Sequence, residues 1–416
     1  MRILYVSQYF PPEIGAPAAR VHELSREWVR TGHEVTVLTA FPHHPGGVKR
    51  PEDRGVLERR EQVDGIDLLR TYVYAVPNKG IVKRMASYAS FLLSATAVGP
   101  LRISSPDVVI ATSPQLLCAL AGYLLSQFFG APFVFEVRDL WPESIVAVDA
   151  MGDNALIRVL KSLARFLYHS CDRIVTVGEG YKRSIHQLYS IDPGKMSVIP
   201  NGIDPSLFSP LPRENEVRRE YGWGEKFVLL YLGTHGMAHA LDKLLEAARR
   251  MQEDKRLHFV FVGDGAEKEN LVQQAASAKL TNVQFIGPQP KSRVPLFYAA
   301  CDMGIVTLRD SSLFQEVLPS KIFEYLGMER AILLGVGGEA RRLVEAAGAG
   351  EYVPPEDVDA MVAAIRRMSL NPKRLDEMGQ RGRTHVLEHY DRGILAKRYI
   401  DVLAAVITKG TPFPEQ

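Results

Sequence analysis

Short apolar runs alternate with longer stretches of helical periodicity along most of the chain. Ile3 to Val6 is four apolar residues closed by Ser7 and Gln8, the pattern of a strand buried on both faces. Pro11, Pro12, Gly15 and Pro17 make a loop. Ala19, Val21, Leu24, Trp28 and Val29 then recur at helical spacing as far as Gly32, a usual stop position, and Val35 to Leu38 is the next strand. This βαβ rhythm continues with strands at Val108–Ala111, Phe133–Val137 and Arg173–Val177, and helices at Leu116–Phe129 and Leu156–His169. Val198-Ile199 closes a first domain at Pro200-Asn201-Gly202.

A charged stretch from Arg213 to Glu225 reads as a linker with a short helix. The rhythm restarts with strands at Phe227–Leu232, Leu257–Val262, Val283–Ile286, Met303–Val306 and Ala331–Gly335. Helices fall between them at Leu241–Met251, Val294–Ala300 and Lys321–Met328. Helical stretches at Met361–Met368 and His389–Val406 have no strand after them. The prediction is an α/β protein of two Rossmann-like domains, 1–205 and 206–388, facing each other across a cleft at the carboxyl edges of their sheets. A length of 416 residues suits two such cores.

Composition narrows the function classes little. A net charge of +2 gives no sign of a nucleic-acid partner. Its distribution says more: no acidic residue lies between Asp67 and Asp107, where Arg70, Lys79, Lys83, Arg84 and Arg102 stand. Cys118, Cys171 and Cys301 lack metal or redox spacing and read as buried thiols in a reducing compartment. The strand-like start carries no signal-peptide pattern and no apolar run reaches membrane-spanning length, so a cytoplasmic protein is expected. The segment Ile81 to Ile103 reads either as a packed helix or as one lying on an anionic bilayer. In the second case Lys79, Lys83 and Arg84 would meet headgroups, with Tyr88, Phe91, Leu92 and Leu93 in the interface.

The strongest local feature is Glu316-Val-Leu-Pro-Ser-Lys-Ile-Phe-Glu324. Pro319 and Ser320 look like a helix start, with Ser320 as the cap and Glu316 in the loop before it. Two carboxylates, Lys321 and backbone N–H groups near 317–322 would suit a diphosphate flanked by two polyols. A capped surface helix with solvated charges is the plain alternative. Glycine turns Gly233-Thr-His-Gly236, Gly263-Asp-Gly265 and Gly335 to Gly338 each follow a strand and permit close approach of a ligand. No Gly-x-Gly-x-x-Gly, Walker or Gly-x-Ser-x-Gly motif is present, which argues against NAD, ATP and α/β-hydrolase chemistry. In the first domain Gly15 and Asp139 stand where strand-end loops meet ligands. Asp139 has a plain reading as a turn residue. His43 and His44 lack the third ligand of a zinc site.

Glu316, Lys321 and Glu324 resemble the Glu-x7-Glu signature of retaining family 4 glycosyltransferases. Pro200-Asn-Gly-Ile-Asp204, Phe261-Val-Gly-Asp-Gly265 and Ala300-Cys-Asp302 match further blocks of that family in order. Tyr9-Phe-Pro-Pro-Glu13 with Gly15, Phe41-Pro42 and Arg138-Asp-Leu-Trp-Pro-Glu143 resemble bacterial O-antigen, capsule and exopolysaccharide transferases, among them the N-acetyl-L-fucosamine transferase-like group. The resemblance implies a GT-B fold, a UDP-sugar donor in the second domain and a lipid-linked saccharide acceptor in the first. It also implies retention of configuration, no required cofactor or metal, and a last helix packing back on the first domain. By position, Glu324 would hold the ribose and Glu316 the donor sugar. Lys321, Pro319 and Ser320 would lie near the diphosphate, and Gly15 on the acceptor side. The family's glycine–arginine pair and later lysine are here Gly233-Thr234 and His239, which leaves His239, Arg293, Lys321 or helix amides to hold the diphosphate. The family's histidine after the strand ending near Ala111 is replaced by Thr112-Ser113-Pro114. Two rivals stand beside this reading: a GT-B-like sugar-nucleotide epimerase or hydrolase, which would consume donor equally without acceptor, and a non-catalytic sugar-nucleotide or glycan-binding module, which would bind without turnover.

Overall fold

The computed structural model describes residues 1–13, 15–43, 46–76, 81–144, 155–312 and 314–408. The chain divides into two units. One is Met1–Pro200 together with the chain from Arg392 onward; the other is Asn201–Asp391.

The first unit runs β1 (Arg2–Val6), α1 (Ala16–Arg30), β2 (Glu34–Ala40), β3 (Glu58–Val63), β4 (Ile66–Thr71), α2 (Ile81–Arg102), β5 (Val108–Thr112), α3 (Leu116–Phe129), β6 (Phe133–Val137), α4 (Ala155–Ser170), β7 (Arg173–Thr176), α5 (Glu179–Tyr189) and β8 (Met196–Val198). Its sheet has the order β3-β4-β2-β1-β5-β6-β7-β8, all parallel except β3 against β4. The strand order reverses between β1 and β5, which makes the carboxyl ends of those strands the natural ligand edge. The hairpin β3–β4 was not expected. Its first strand, Glu-Arg-Arg-Glu-Gln-Val, is a polar edge strand without an apolar run. It turns at Asp64-Gly65, both at positive φ (52° and 78°), the geometry of a tight hairpin turn.

The second unit holds α6 (Glu216–Glu220), β9 (Phe227–Leu232), α7 (Leu241–Arg250), β10 (Leu257–Val262), α8 (Lys268–Ser277), β11 (Val283–Ile286), α9 (Val294–Ala300), β12 (Met303–Thr307), α10 (Lys321–Gly327), β13 (Ile332–Gly335), α11 (Gly338–Ala346), β14 (Gly350–Tyr352), α12 (Val358–Ser369) and α13 (Pro372–Tyr390). Its parallel sheet is β11-β10-β9-β12-β13-β14, the dinucleotide-fold order, with its switch point between β9 and β12. The charged stretch expected as a linker is instead part of this unit. Arg218 is buried, with Nη2 2.7 Å from Asp302 Oδ2 and Nε on the Ala300 carbonyl, and Trp223 is buried beside it. A buried guanidinium is tolerable there because its charge and donors are both matched.

The expected helix from His389 to Val406 is two. The chain breaks at Asp391, which bridges to Ile203, and α14 (Arg392–Ile407) then belongs to the first unit. Leu395, Ala396, Tyr399, Val402 and Leu403 join its core. Trp28 Nε1 donates to the Ala396 carbonyl at 3.0 Å, and Arg392 Nε pairs with Glu23 at 2.9 Å.

Candidate active site

In the second unit the site grows from three glycine turns at the carboxyl edge of the sheet. Gly233 follows β9 at φ 144°, and a Cβ there would stand 3.0 Å from Lys321 Nζ. Gly263 follows β10 at φ 138°, where a Cβ would fall 2.0 Å from the Gly233 carbonyl oxygen. At Gly265 it would fall 2.4 Å from the His235 carbonyl oxygen. The β9 and β10 turns therefore pack backbone to backbone, joined by the bond from His235 N–H to the Asp264 carbonyl at 2.8 Å.

Lys321 opens α10. Its Nζ lies 3.8 Å from the Tyr231 ring centroid, is closed off from solvent and has no hydrogen-bond partner among the described residues. Burial pushes its pKa down to about 7, opposed in part by the Glu324 charge. His239, in a short 3₁₀ turn, faces the same Tyr231 ring at 6.0 Å, and its carbonyl accepts from Thr307 Oγ1 at the end of β12. Burial, then the Lys321 charge, lowers the His239 pKa to about 3, so this ring is neutral. His235 was not singled out from sequence. It is fully buried, neither ring nitrogen has a well-aligned partner among the described residues, and burial with Lys268 and Lys321 lowers its pKa to about 4. The result, among the described residues, is an enclosed ammonium without a hydrogen-bond partner, beside two neutral imidazoles and within reach of the Glu324 charge, at the switch point of the sheet.

Glu324 lies one turn after Lys321 and accepts from Tyr298 Oη at 2.5 Å. Glu316 ends a 3₁₀ turn, Phe314–Glu316, against which the glycine turn after β13 packs: a Cβ on Gly338 would fall 1.8 Å from the Gln315 carbonyl oxygen. Ser320 differs from expectation. It stands at the N-cap position but already has helical φ and ψ (−59°, −30°), so its side chain makes no cap bond. Pro319 precedes it, and the Pro319 carbonyl accepts from Ile322 N–H while the Phe314 carbonyl accepts from Val317 N–H. The expected row of open amides is thus shortened. Arg293 is held elsewhere: its Nη2 pairs with Glu220 Oε2 at 2.5 Å and its guanidinium lies over Phe297. Among the described contacts it meets none of Lys321, His235 or His239.

In the first unit Gly15 is the N-cap of α1 at φ 140°. Asp139 serves its turn: Oδ2 accepts from Ser144 Oγ at 3.1 Å, its carbonyl accepts from Ser113 Oγ, and burial raises its pKa. Beneath this edge lies a network that sequence reading missed. Glu136, near the carboxyl end of β6, accepts from Tyr5 Oη at 2.5 Å and Arg20 Nε at 2.9 Å, and Arg138 Nη1 reaches the Pro17 carbonyl at 3.0 Å. A lone charge inside Phe-Val-Phe-Glu-Val was the available signal. A hollow of about 340 Å³ lies at the opposite, amino edge, lined by Arg2, His33, Glu34, Arg60 and Asp67 among others. It is on the wrong side of the sheet for a nucleotide fold.

The membrane segment needs correction. Tyr88 and Phe91 face the core, not outward, and the Arg84 guanidinium donates to Tyr88 Oη at 3.1 Å. Lys83 is exposed, and Lys79 lies outside the described residues, as does His44. Among the described residues no helix is long and apolar enough to cross a membrane, and no group of three His, Cys, Asp or Glu side chains is placed to hold a metal.

Two family models match in tandem. Residues 15–202 match the glycosyl transferase 4-like domain, and residues 213–385 match glycosyl transferases group 1. The chain is a glycosyltransferase. Among its relatives is the putative colanic acid biosynthesis glycosyl transferase WcaI of Escherichia coli, 26% identical over 90% of this chain and 93% of that protein. Another is the probable glycosyltransferase WbjE of Pseudomonas aeruginosa, 27% identical over 67% of this chain and 69% of that protein. Sucrose-phosphate synthase of Thermosynechococcus elongatus shares the fold with a TM-score of 0.76 at 16% identity, covering 98% of this glycosyltransferase and all of that chain. HepE of Anabaena, solved with UDP and glucose, does so with a TM-score of 0.74 at 16% identity, over 97% of this chain and all of that one. The fold is GT-B, with two Rossmann-like domains.

Proposed function

We propose that this glycosyltransferase moves a sugar, of the N-acetylated deoxyaminosugar class, from a UDP-sugar to a lipid-linked saccharide in bacterial surface polysaccharide synthesis. Configuration is retained and no metal is required. The observation that carries the donor site is Lys321: an enclosed ammonium with no hydrogen-bond partner among the described residues is costly unless an anion arrives to pair with it. The donor diphosphate supplies that anion beside Gly233 and Gly263, where the missing side chains let phosphate oxygens approach the backbone. Glu324 takes the ribose hydroxyls and Glu316 those of the sugar. As the glycosidic bond breaks, charge gathers on the leaving diphosphate, and the Lys321 ammonium stabilises it where no water competes. The leaving phosphate then takes the proton of the incoming hydroxyl. Neutral His239 stands where a second cation is usual in the resembled family, so the charge of the clamp rests on Lys321. Surface polysaccharide synthesis is the role suggested by the name of WcaI, and UDP is the nucleotide named for the HepE complexes.

The test is a panel of nucleotide sugars screened by thermal shift, followed by turnover of the hits with a membrane lipid extract. A donor should raise the apparent melting temperature by mass action and be consumed faster with extract than without. Donor consumption equal in both arms would favour a hydrolase, and binding without turnover a non-catalytic module.

A further inference from the structure

His43 follows β2 through Phe41 and Pro42, in the loop beside the one that follows β1. Its side chain is only 3% exposed. Nδ1 lies 2.9 Å from the Phe41 carbonyl oxygen, which makes that nitrogen the protonated donor. Nε2 therefore bears the lone pair. Among the described residues no hydrogen bond reaches it, so its acceptor site is left for a ligand. Burial lowers the imidazole pKa and the nearby Lys49 charge adds to it, so the ring is neutral at pH 7.

The surroundings hold this ring still. The buried Glu13 carboxylate accepts from His43 N–H at 3.0 Å and from Phe10 N–H at 3.4 Å, tying the β1 and β2 loops together. Arg70 Nη2 adds a bond to the Pro11 carbonyl at 2.7 Å. The Tyr9 ring lies 6.0 Å from the imidazole, and Lys49 Nζ sits 4.0 Å from the Tyr72 ring centroid, attracted by the Asp53 carboxylate, which is itself paired with Arg59. A fixed acceptor, an ammonium donor and aromatic faces are the groups that recognise a sugar ring: its hydroxyl hydrogens, its hydroxyl oxygens and its C–H faces.

We propose that His43 Nε2 accepts a hydrogen bond from a hydroxyl of the saccharide acceptor, forming with Lys49 an acceptor subsite of the first unit. The proposal rests on the reading of the acceptor as a saccharide. It concerns binding and orientation, with no proton transferred to the imidazole.

The test uses His43→Asn and His43→Gln. Asparagine keeps a short amide donor for Phe41 but offers no acceptor where Nε2 stands; glutamine can place its carbonyl oxygen there. Long-range ¹H–¹⁵N spectra, with the His43 signals identified by their loss in His43→Asn, should show a bare Nε2 at pH 7. Transfer from the donor identified by thermal shift to membrane lipid extract should fall about tenfold or more in His43→Asn. Donor affinity and acceptor-free donor hydrolysis should stay within about twofold, as expected when the lost hydrogen bond belongs to the acceptor alone. His43→Gln should recover part of the loss. Undiminished transfer in His43→Asn, or hydrolysis falling in parallel with transfer, would overturn the proposal. So would a protonated Nε2, and that arm decides even if no nucleotide sugar is turned over and the donor reading itself fails.

Discussion

The ammonium of Lys321 lies 3.8 Å from the Tyr231 ring centroid, and it stands 3.0 Å from where a Cβ on Gly233 would be. The aromatic face compensates only part of the lost hydration, so the enclosed ammonium is strained. The Lys321 pKa falls from 10.5 to about 7 on folding. Between those values the unfolded chain holds a proton that the folded chain sheds, so this group's contribution to stability rises with pH across the window. Below pH 7 both states are protonated and the full penalty remains. Lys321→Met should therefore stabilise the free enzyme at pH 7, by on the order of 2 kcal/mol. It should also abolish measurable donor binding. Chemical denaturation paired with donor titration checks both. A variant that is less stable yet binds donor normally would remove Lys321 from the site.

Donor binding should take up protons. Near pH 7 about half of the free enzyme has Lys321 neutral, and a bound diphosphate restores its charge. Calorimetry with a nucleotide sugar in buffers of different ionisation enthalpy should give an uptake of roughly half a proton at pH 7, falling towards zero by pH 5. His235 and His239 do not blur the result, because their pKa values of about 4 and about 3 keep them neutral over this range. No uptake at pH 7 would mean that the ammonium is already fully charged without ligand.

The glycine turns should separate fold from function. Gly263→Ala drives a Cβ into the Gly233 carbonyl at 2.0 Å, and that backbone cannot give way cheaply. We expect a loss of about 3 kcal/mol or an unfolded second unit. Gly233→Ala meets only the tip of Lys321, at 3.0 Å. It should fold with a smaller penalty, about 1–2 kcal/mol from its positive φ, while donor affinity falls because Nζ is displaced. Equal donor affinity in folded Gly233→Ala and wild type would show that Nζ is not where the diphosphate binds.

Glu324 is held by Tyr298 at 2.5 Å. Glu324→Ala should weaken donor binding by roughly 1.5–3 kcal/mol for each charge-assisted bond lost. Tyr298→Phe removes one hydrogen bond to the carboxylate without removing its charge, so its effect on donor affinity should be several-fold smaller. The comparison is read directly from dissociation constants. Two variants of equal effect would indicate that packing of the Tyr298 ring, not the carboxylate, is what matters.

Much of the frame was legible because buried parallel strands are continuous apolar runs. Phe133–Val137, Phe227–Leu232 and Leu257–Val262 stand where the pattern put them. Elements without that contrast were missed. The polar edge strand β3 has no buried face to betray it, although Asp64-Gly65 signalled its hairpin. At the site, spacing placed Glu316, Lys321 and Glu324 around one helix start. Sequence cannot reveal that Ser320 is already helical, or that Arg293 is drawn to Glu220, because both follow from tertiary packing. His235 escaped notice since a histidine in a glycine turn looks solvated, and only the fold shows it enclosed.

The lipid-facing surface of the first unit should be the outward stripe of α2. Lys83, Ala86, Leu93, Ala97 and Leu101 are exposed at helical spacing, with Leu93 68% and Leu101 79% exposed and no acidic residue on the helix. A stripe so poor in charge is unusual for a face turned to water. Inserting two leucines into the interface would contribute attraction that salt does not screen, and Lys83 would add about 1 kcal/mol that it does. Arg84 is the wrong residue to remove, because its loss would disturb Tyr88 at the core instead. The informative variants are Leu93→Ser/Leu101→Ser and Lys83→Ala, compared with wild type by co-sedimentation on phosphatidylglycerol and phosphatidylcholine vesicles at low and high salt. The double serine variant should lose about tenfold or more in partitioning on both lipids, as expected if even half of each leucine is withdrawn from water. Lys83→Ala should lose only the preference for anionic lipid, and only at low salt. Wild-type binding matched by the double variant would place the membrane contact elsewhere on the protein; absence of binding under every condition would mean that the acceptor lipid is reached without this surface.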